Sequence, residues 1–129
     1  MAEVLEYRNP RVERGRVAYL TGLSAEDSVV RHYQASGARH DRRRWRGAGA
    51  EIDLIFREGD RLVFVEVKAG RTFDQAAQRV HWSQLHRIMR AAAAYAAQHG
   101  DPFCEIRIDV ALVDGQGAVQ RLENVSMAA

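Results

Sequence analysis

The sequence has few of the residues that build cross-links or metal clusters. Its 129 residues include one cysteine, Cys104, and five histidines scattered along the chain. No Cys-x-x-Cys pair is present, and no histidine has a partner at metal-ligand spacing. A disulfide framework and a zinc site are therefore both excluded as organising features, and a reducing cytoplasm is the expected location.

Long apolar segments are missing too. The start, MAEVLEYR, lacks the apolar core of a signal peptide, and no apolar run approaches the roughly 20 residues that a membrane-spanning helix needs. We therefore expect a soluble, cytoplasmic protein without a membrane partner. The chain also lacks repeats, and 47% hydrophobic residues over this length suffice for one domain with its own core.

An overall excess of charge is absent, because the net charge is only +2 and the pI is near 9.0. A nucleic-acid partner must therefore be argued from where the charges lie. Residues 1–21 carry several arginines around a proline and a glycine, with no helical or strand period. We interpret them as a mobile basic arm, followed by a single domain of residues 22–129.

The densest basic stretch is RHDRRRWR, residues 39–46. Arginines beside an aromatic residue suit contacts with phosphates and with an unpaired base. An edge strand protected by charge, with Trp45 in the core, explains the same pattern, and one strand can do both. The arginines predicted to contact nucleic acid, including one further along the chain, are Arg42, Arg43, Arg44, Arg46 and Arg71.

Residues 50–68, AEIDLIFREGDRLVFVEVK, predict a β-hairpin with Gly59-Asp60 as its two-residue turn. In this register one face is apolar and contains the pairs Phe56–Val63, Leu54–Val65 and Ile52–Val67. The other face sets Asp53 opposite Glu66 and Glu51 opposite Lys68. The polar end of the hairpin is then the end away from the turn.

The remaining segments complete the predicted order of elements. Periodicity predicts two helical regions and two further strands: residues 24–37 with Ser24 as N-cap, residues 72–100 with a break near Trp82-Ser83, residues 104–113 and residues 118–122. The order is helix, strand, hairpin, helix, strand and a final short strand. The fold class is therefore α/β, with a mixed sheet flanked by helices.

Two carboxylates directly opposite each other in a sheet repel, so the pair Asp53 and Glu66 needs compensation. Mg²⁺ supplies it well, since this ion is commonly held by one or two carboxylates, with waters and a substrate phosphate. Lys68 lies two residues after Glu66 and points to the same face, where an ammonium can hold a water or neutralise a phosphoryl oxygen. A solvated strand end, with Glu51 paired to Lys68, is the alternative.

Asp53 followed by Glu66-Val67-Lys68 resembles the D…ExK signature of the restriction-endonuclease-like superfamily. The wording EIDLI…FVEVK resembles the small bacterial YraN-like family within it, and the likeness runs from Gly22 to Val113. The chain departs from the family pattern at two places. Ala50 stands where the family usually has glycine, and Gly70 stands where it usually has arginine.

The resemblance implies a metal-dependent nuclease acting on DNA, with Mg²⁺ or Mn²⁺ held by Asp53 and Glu66 and with Lys68 as the catalytic lysine. It places Glu26 at the position of the helix acid of archaeal Holliday-junction resolvases. A homodimer would set two such sites on a four-way junction. The alternative function is a nucleic-acid-binding module that keeps the fold without efficient turnover.

Three polar residues have a structural explanation as well as a functional one. Glu26 in the first turn of the predicted helix is also favoured by the helix dipole. Gln84 either faces the site or belongs to a solvated helix face. Asp109 is either an outer neighbour of the site or a structural partner of Arg107.

Overall fold

The computed structural model describes residues 9–100 and 103–125, with the backbone alone for residues 17–21. Its elements, in chain order, are α1 (Pro10–Ala35), β1 (Arg39–Gly47), β2 (Ala50–Glu58), β3 (Arg61–Ala69), α2 (Phe73–Ala77), α3 (Trp82–His99), β4 (Glu105–Val113) and β5 (Val119–Leu122). The strands form one sheet in the order β1-β2-β3-β4-β5. β3 and β4 are parallel, and the other neighbours are antiparallel.

Helices cover both faces of this sheet, as predicted. One apolar cluster joins α1 to the sheet, and its largest fully buried members are Tyr33, Leu54 and Phe56. A second cluster joins α3 to the opposite face, and it includes Phe64 and Tyr95. The fold is thus an α/β fold with a mixed sheet between helices, consistent with a restriction-endonuclease-like architecture.

The first helix begins earlier than the sequence analysis predicted. It starts at Pro10 rather than after Ser24, and the Asn9 side chain caps it by accepting a hydrogen bond from the Arg11 N–H at 2.9 Å. Proline favours a helix start because its φ is fixed and its missing N–H needs no partner there. The prediction of an arm without helical period is therefore wrong from Pro10 onward, and the predicted boundary at residue 21 falls inside α1. Residues 1–8 of that arm lie outside the described residues.

The hairpin follows the predicted register near its turn. Glu58 faces Arg61, and the ladder continues to the pair Leu54–Val65. Gly59 has a φ of +58°, which suits a turn of this kind. The turn pair and the alternation of apolar residues therefore fixed the register over this part of the hairpin.

The apolar face changes beyond Leu54. Ile52 belongs to the α3 cluster, whereas Leu54 and Val67 pack on the α1 side. The prediction that Ile52 and Val67 share one face is therefore wrong. The alternation breaks at Asp53, and Arg44, at the same level of β1, has a φ of +53°. The two strands are distorted together, because a change of face in one strand needs a matching change in the strand bonded to it.

Among the helices of the described residues, none has the length and apolar content needed to span a membrane.

Candidate active site

The irregular end of the hairpin opens into a cleft of about 480 Å³ beside α1. Its polar lining consists of Glu26, Asp53, Glu66, Lys68 and Arg79, and its other lining residues are mostly small. The structure thus brings the four residues predicted to be catalytic into one cleft, from α1, β2 and β3.

Glu66 is the most buried carboxylate of this cleft. Its side chain belongs to a residue that is only 4% exposed, and its Oε1 accepts a hydrogen bond from Gln84 Nε2 at 2.9 Å. Its Oε2 is buried and receives no hydrogen bond from the residues that the structure describes. Burial, and next the charge of Asp53, raise the pKa of Glu66 to about 7. One buried oxygen is therefore open to a proton or a cation at neutral pH.

Lys68 is held between two partners. Its Nζ is 3.1 Å from Glu66 Oε1 and donates a hydrogen bond to Gln84 Oε1 at 2.9 Å. Gln84 reaches these groups from α3, so it faces the site rather than solvent. Lys68 does not pair with Glu51, which instead pairs with Arg46 at 3.2 Å. The alternative of a solvated strand end is therefore wrong in its pairing and in its exposure.

Lys68 is also the only lysine in the chain. The 19 lysine and arginine residues are otherwise all arginines. An ammonium is a compact point charge with three donors, whereas a guanidinium is larger and planar. The cleft offers Lys68 a narrow place between a carboxylate and an amide, and an ammonium suits this place.

The Asp53 side chain accepts a hydrogen bond from the backbone of β3, just beyond the regular ladder between β2 and β3. The ladder between β2 and β3 ends at Leu54–Val65, and the next free N–H, that of Val67, donates to Asp53 Oδ2 at 2.8 Å. Asp53 and Glu66 therefore lie side by side at the splayed end of the hairpin rather than as a regular strand pair. Burial raises the pKa of Asp53, and the Val67 hydrogen bond opposes that rise. The second carboxylate of the cleft is thus anchored to the backbone.

Glu26 lines the cleft but is bound by arginines. It is 7% exposed, and its carboxylate accepts hydrogen bonds from Arg43 Nε at 3.0 Å and from Arg44 Nη2 at 3.3 Å. Among the described residues no three acidic, histidine or cysteine side chains lie close enough together to hold one metal ion. Asp53 and Glu66 are therefore the two carboxylates available to a cation, and the accessory role of Glu26 stays a prediction.

The arginines of β1 are mostly paired within the protein. Arg43 also binds Asp27 at 2.9 Å, and Arg46 binds Glu51. Arg42 lies next to Tyr95, which also packs edge-on against Trp45 with the ring centroids 5.1 Å apart. Trp45 is thus a partly buried core residue, as the edge-strand interpretation expected. The predicted contacts of these arginines with nucleic acid stay a prediction.

Asp109 is a structural partner of Arg107, as the simpler explanation expected. It is fully buried and accepts two hydrogen bonds from Arg107 at 2.9 and 3.0 Å. The Tyr33 hydroxyl donates to it at 2.6 Å, and the Asn124 N–H donates at 3.0 Å. All of these contacts stabilise the fold.

Arg79 is a further residue of the cleft, and it is not among the residues predicted from the sequence. This residue follows α2, in the link to α3, and it lines the same cleft as Glu66. No motif or period marks it, because its place depends on how the link packs beside β3. Its position at the cleft follows from the distances between elements that are far apart in the chain.

Comparisons with known proteins match most of the chain. A family model described as the uncharacterised protein family UPF0102 matches residues 25–113. A UPF0102 protein of Roseobacter denitrificans is 47% identical over 117 residues, covering 90% of this chain and 91% of that protein. Similar proteins of Ruegeria pomeroyi (47% over 112 residues; 86% and 91% covered) and Cereibacter sphaeroides (44% over 117 residues; 88% and 98% covered) carry the same family name. The matched range contains every polar residue that lines the cleft.

Proposed function

The chain belongs to the uncharacterised protein family UPF0102, and we propose that it is a metal-dependent nuclease that hydrolyses phosphodiester bonds in DNA. The observation that carries the proposal is the buried Glu66 carboxylate. One of its oxygens has no partner among the described residues, and it lies beside Asp53 in an open cleft. Lys68 places one positive charge beside the two carboxylates, so their charge is only partly compensated, and the remaining negative charge favours a bound cation.

The residues present fit a hard divalent cation. Carboxylate oxygens are the protein ligands that Mg²⁺ and Mn²⁺ prefer, and a site with one or two of them leaves room for substrate phosphate. Mg²⁺ or Mn²⁺ held by Asp53 and Glu66 would supply positive charge to the oxygens of the phosphodiester. Asp53 is anchored by the Val67 N–H and Glu66 by Gln84, so both carboxylates are oriented before a substrate arrives.

Lys68 is positioned to bind the attacking water or the phosphate of the substrate. Its ammonium is fixed by Glu66 and Gln84, and it retains a donor for a water molecule or for a phosphoryl oxygen. In hydrolysis the water oxygen forms a bond to phosphorus, the bond to one sugar oxygen breaks, and that oxygen takes up a proton while the water releases one to solvent. A fixed donor stabilises the charge that develops on the phosphoryl oxygens, because it need not reorganise during the reaction.

A nucleic-acid-binding module is the second candidate, and one observation favours it. Glu26 is neutralised by two arginines, so the cleft offers two carboxylates rather than three. A protein of this fold without catalytic activity would keep the ion pairs of Glu26 for their contribution to stability. This candidate predicts binding of nucleic acid without cleavage.

The test compares cleavage and binding on linear duplex, single strand, flap and four-way junction, with Mg²⁺ and with Mn²⁺. Lys68→Ala should leave affinity nearly intact and lower the cleavage rate by about 10²- to 10³-fold, as for the loss of one transition-state donor. Glu66→Gln should abolish cleavage, and Glu105→Gln, an exposed glutamate paired with Arg61, is the matched control.

Two results would contradict the proposal. Cleavage that survives both Lys68→Ala and Glu66→Gln would come from another enzyme in the preparation. Binding by the unmutated protein without cleavage of any substrate would support the binding module instead.

A further inference from the structure

We infer that a single strand of nucleic acid crosses the cleft along a path marked by Arg71, Arg79 and Arg87, whose guanidinium groups have no partner among the described residues, rather than along the arginines of β1. This inference rests on the proposed function, because it specifies the substrate of the same site. It adds Arg79 and Arg87 as phosphate-binding residues and selects Arg71 among the arginines predicted from the sequence.

On one side of Glu66 the cleft continues into a second cleft of about 540 Å³. The two clefts share Ala25, Ala69 and Arg79, so they form one continuous groove with Arg79 at the junction. Arg71 lines the far part of this groove, next to the turn between β4 and β5, where the Gly115 N–H donates a hydrogen bond to the Arg71 carbonyl at 3.0 Å. A chain lying in the groove would thus pass two arginines before it reaches Glu66.

On the other side a third cleft, of about 310 Å³, shares Asp53 with the first. Its lining includes Gln84 and Arg87, both on α3. Gln84 is the residue that holds Lys68 and Glu66, so this cleft also borders the site. The order along the surface is therefore two arginines, the carboxylate pair with its lysine, and one arginine.

The charges distinguish this path from β1. Arg71, Arg79 and Arg87 are exposed, and within the described part of the chain their guanidinium groups make no ion pair or hydrogen bond. A paired guanidinium must give up its carboxylate to bind a phosphate, whereas an unpaired one gives up only water. The arginines of β1 that are paired with Glu26, Asp27 or Glu51 are Arg43, Arg44 and Arg46.

The acids beside this path are already engaged. Glu51 in the third cleft is paired with Arg46. Asp114 in the second cleft accepts hydrogen bonds from the backbone N–H groups of Gln116 and Ala118, both at 2.9 Å. The groove therefore presents free positive charge on both sides of Asp53 and Glu66, which is the pattern that suits a phosphate backbone.

The size of the groove selects a single strand. Clefts of a few hundred Å³ hold ligands of about the size of a nucleotide, and α1, the link after α2, and the β4–β5 turn form the walls of the second cleft. Ala25, Ala69 and Gly115 leave this space free of large side chains. One strand can lie along such a groove, whereas a duplex would bring only the nearer of its two strands to Glu66.

The test measures binding in EDTA, where no cleavage occurs, by fluorescence anisotropy of a labelled oligonucleotide of about 12 nucleotides, single-stranded or in duplex form. Arg79→Ala, Arg71→Ala and Arg87→Ala should each weaken single-strand binding several-fold and lower the salt slope by about 0.7. Arg39→Ala is the matched control, since Arg39 is exposed and lines none of these three clefts. Its slope should equal that of the unmutated protein.

A second readout uses the only lysine. Protein labelled with ¹⁵N-lysine gives one backbone amide signal, from Lys68, and this signal should move when the single strand binds. An unmoved signal at saturation would show that the strand avoids the cleft and would overturn the inference.

The remaining outcomes separate this inference from the proposed function. If the three variants bind normally while Arg43→Ala lowers the slope, the path along β1 is correct and the inference is wrong, whether or not the protein cleaves DNA. Duplex binding at least as tight as single-strand binding would overturn the choice of a single strand. Loss of binding in the three variants, without cleavage by the unmutated protein, would uphold the path and reject the nuclease.

Discussion

Without metal, the Glu66→Gln variant should be more stable than the unmutated protein. With metal bound, the unmutated protein should be the more stable of the two. Burial and Asp53 raise the pKa of Glu66 from an ordinary value of 4.5 to about 7. At 1.36 kcal/mol per pKa unit, the ionised carboxylate therefore costs the native state about 3 kcal/mol above pH 7. An amide removes this cost while its oxygen still accepts the hydrogen bond from Gln84.

The net gain should be smaller than that cost, because Lys68 loses a charged partner at 3.1 Å. We expect Glu66→Gln to raise the free energy of unfolding by about 1–2 kcal/mol at pH 8 in EDTA, or several degrees in Tm. The sign follows from proton binding. The native state of the unmutated protein holds this proton more tightly than the unfolded state, so stability falls as pH rises from about 4.5 to about 7. The variant should lack that slope.

Metal should reverse the order of the two proteins. A ligand that binds only the native state adds RT ln(1 + [L]/Kd), which is about 2.7 kcal/mol at a concentration of 100 Kd. The unmutated protein should gain this stability from Mn²⁺, whereas the glutamine variant should gain none. Calorimetry at pH 8, with EDTA and then with Mn²⁺ in the millimolar range, measures both differences.

Glu105→Gln is the control, because Glu105 is exposed and forms only a surface ion pair. It should change neither the stability in EDTA nor the gain from Mn²⁺. The reasoning would be refuted if Glu66→Gln were less stable than the unmutated protein in EDTA at pH 8. In that case the contact with Lys68 would outweigh the burial of the charge, and the site would need no cation.

Three further predictions follow from the same geometry. The affinity for Mn²⁺ should rise about tenfold per pH unit below about pH 7 and level off above it, because the cation displaces the Glu66 proton. Isothermal titration calorimetry measures this affinity, and an affinity that does not change with pH would contradict the prediction. Asp53→Asn should keep the acceptor for the Val67 N–H, so it should lose the gain from metal without losing stability in EDTA, whereas Asp53→Ala should also lower stability by about 1–2 kcal/mol in urea unfolding. Arg43→Ala should lower the free energy of unfolding by about 1–2 kcal/mol, because it leaves the buried Glu26 with fewer hydrogen-bond donors. Adding Glu26→Gln should recover part of this loss. Equal losses in the single and the double variant would show that the ion pair is not the cause.

Short-range residue patterns in the sequence predicted part of the hairpin, one helix and one strand. The Gly59-Asp60 turn and the alternation of apolar residues set the hairpin register as far as Leu54–Val65. Helical spacing set α3, and the alternation after Cys104 set β4. These patterns are reliable because they follow from backbone geometry, which repeats over a few residues whatever the rest of the chain does.

How the elements meet depends on tertiary packing. Ile52 changes face because β1 and β2 distort together at Arg44 and Asp53, and periodicity within one strand cannot express a distortion shared by two. Gln84 joins Glu66 and Lys68 from a helix that begins 14 residues after Lys68. These contacts depend on the packing distances between elements, and local sequence patterns do not predict those distances.

The same distinction explains the arginines. Their number and positions are written in the sequence, and the run in β1 is the most conspicuous cluster. Whether each guanidinium is free depends on which carboxylates the fold places beside it, and α1 brings Glu26 and Asp27 to Arg43 across 17 and 16 residues of chain. The sequence thus determined that the chain carries positive charge beside an acidic pair, and the fold decided which of those charges remain available to a phosphate, because ion pairing is set by distances in space.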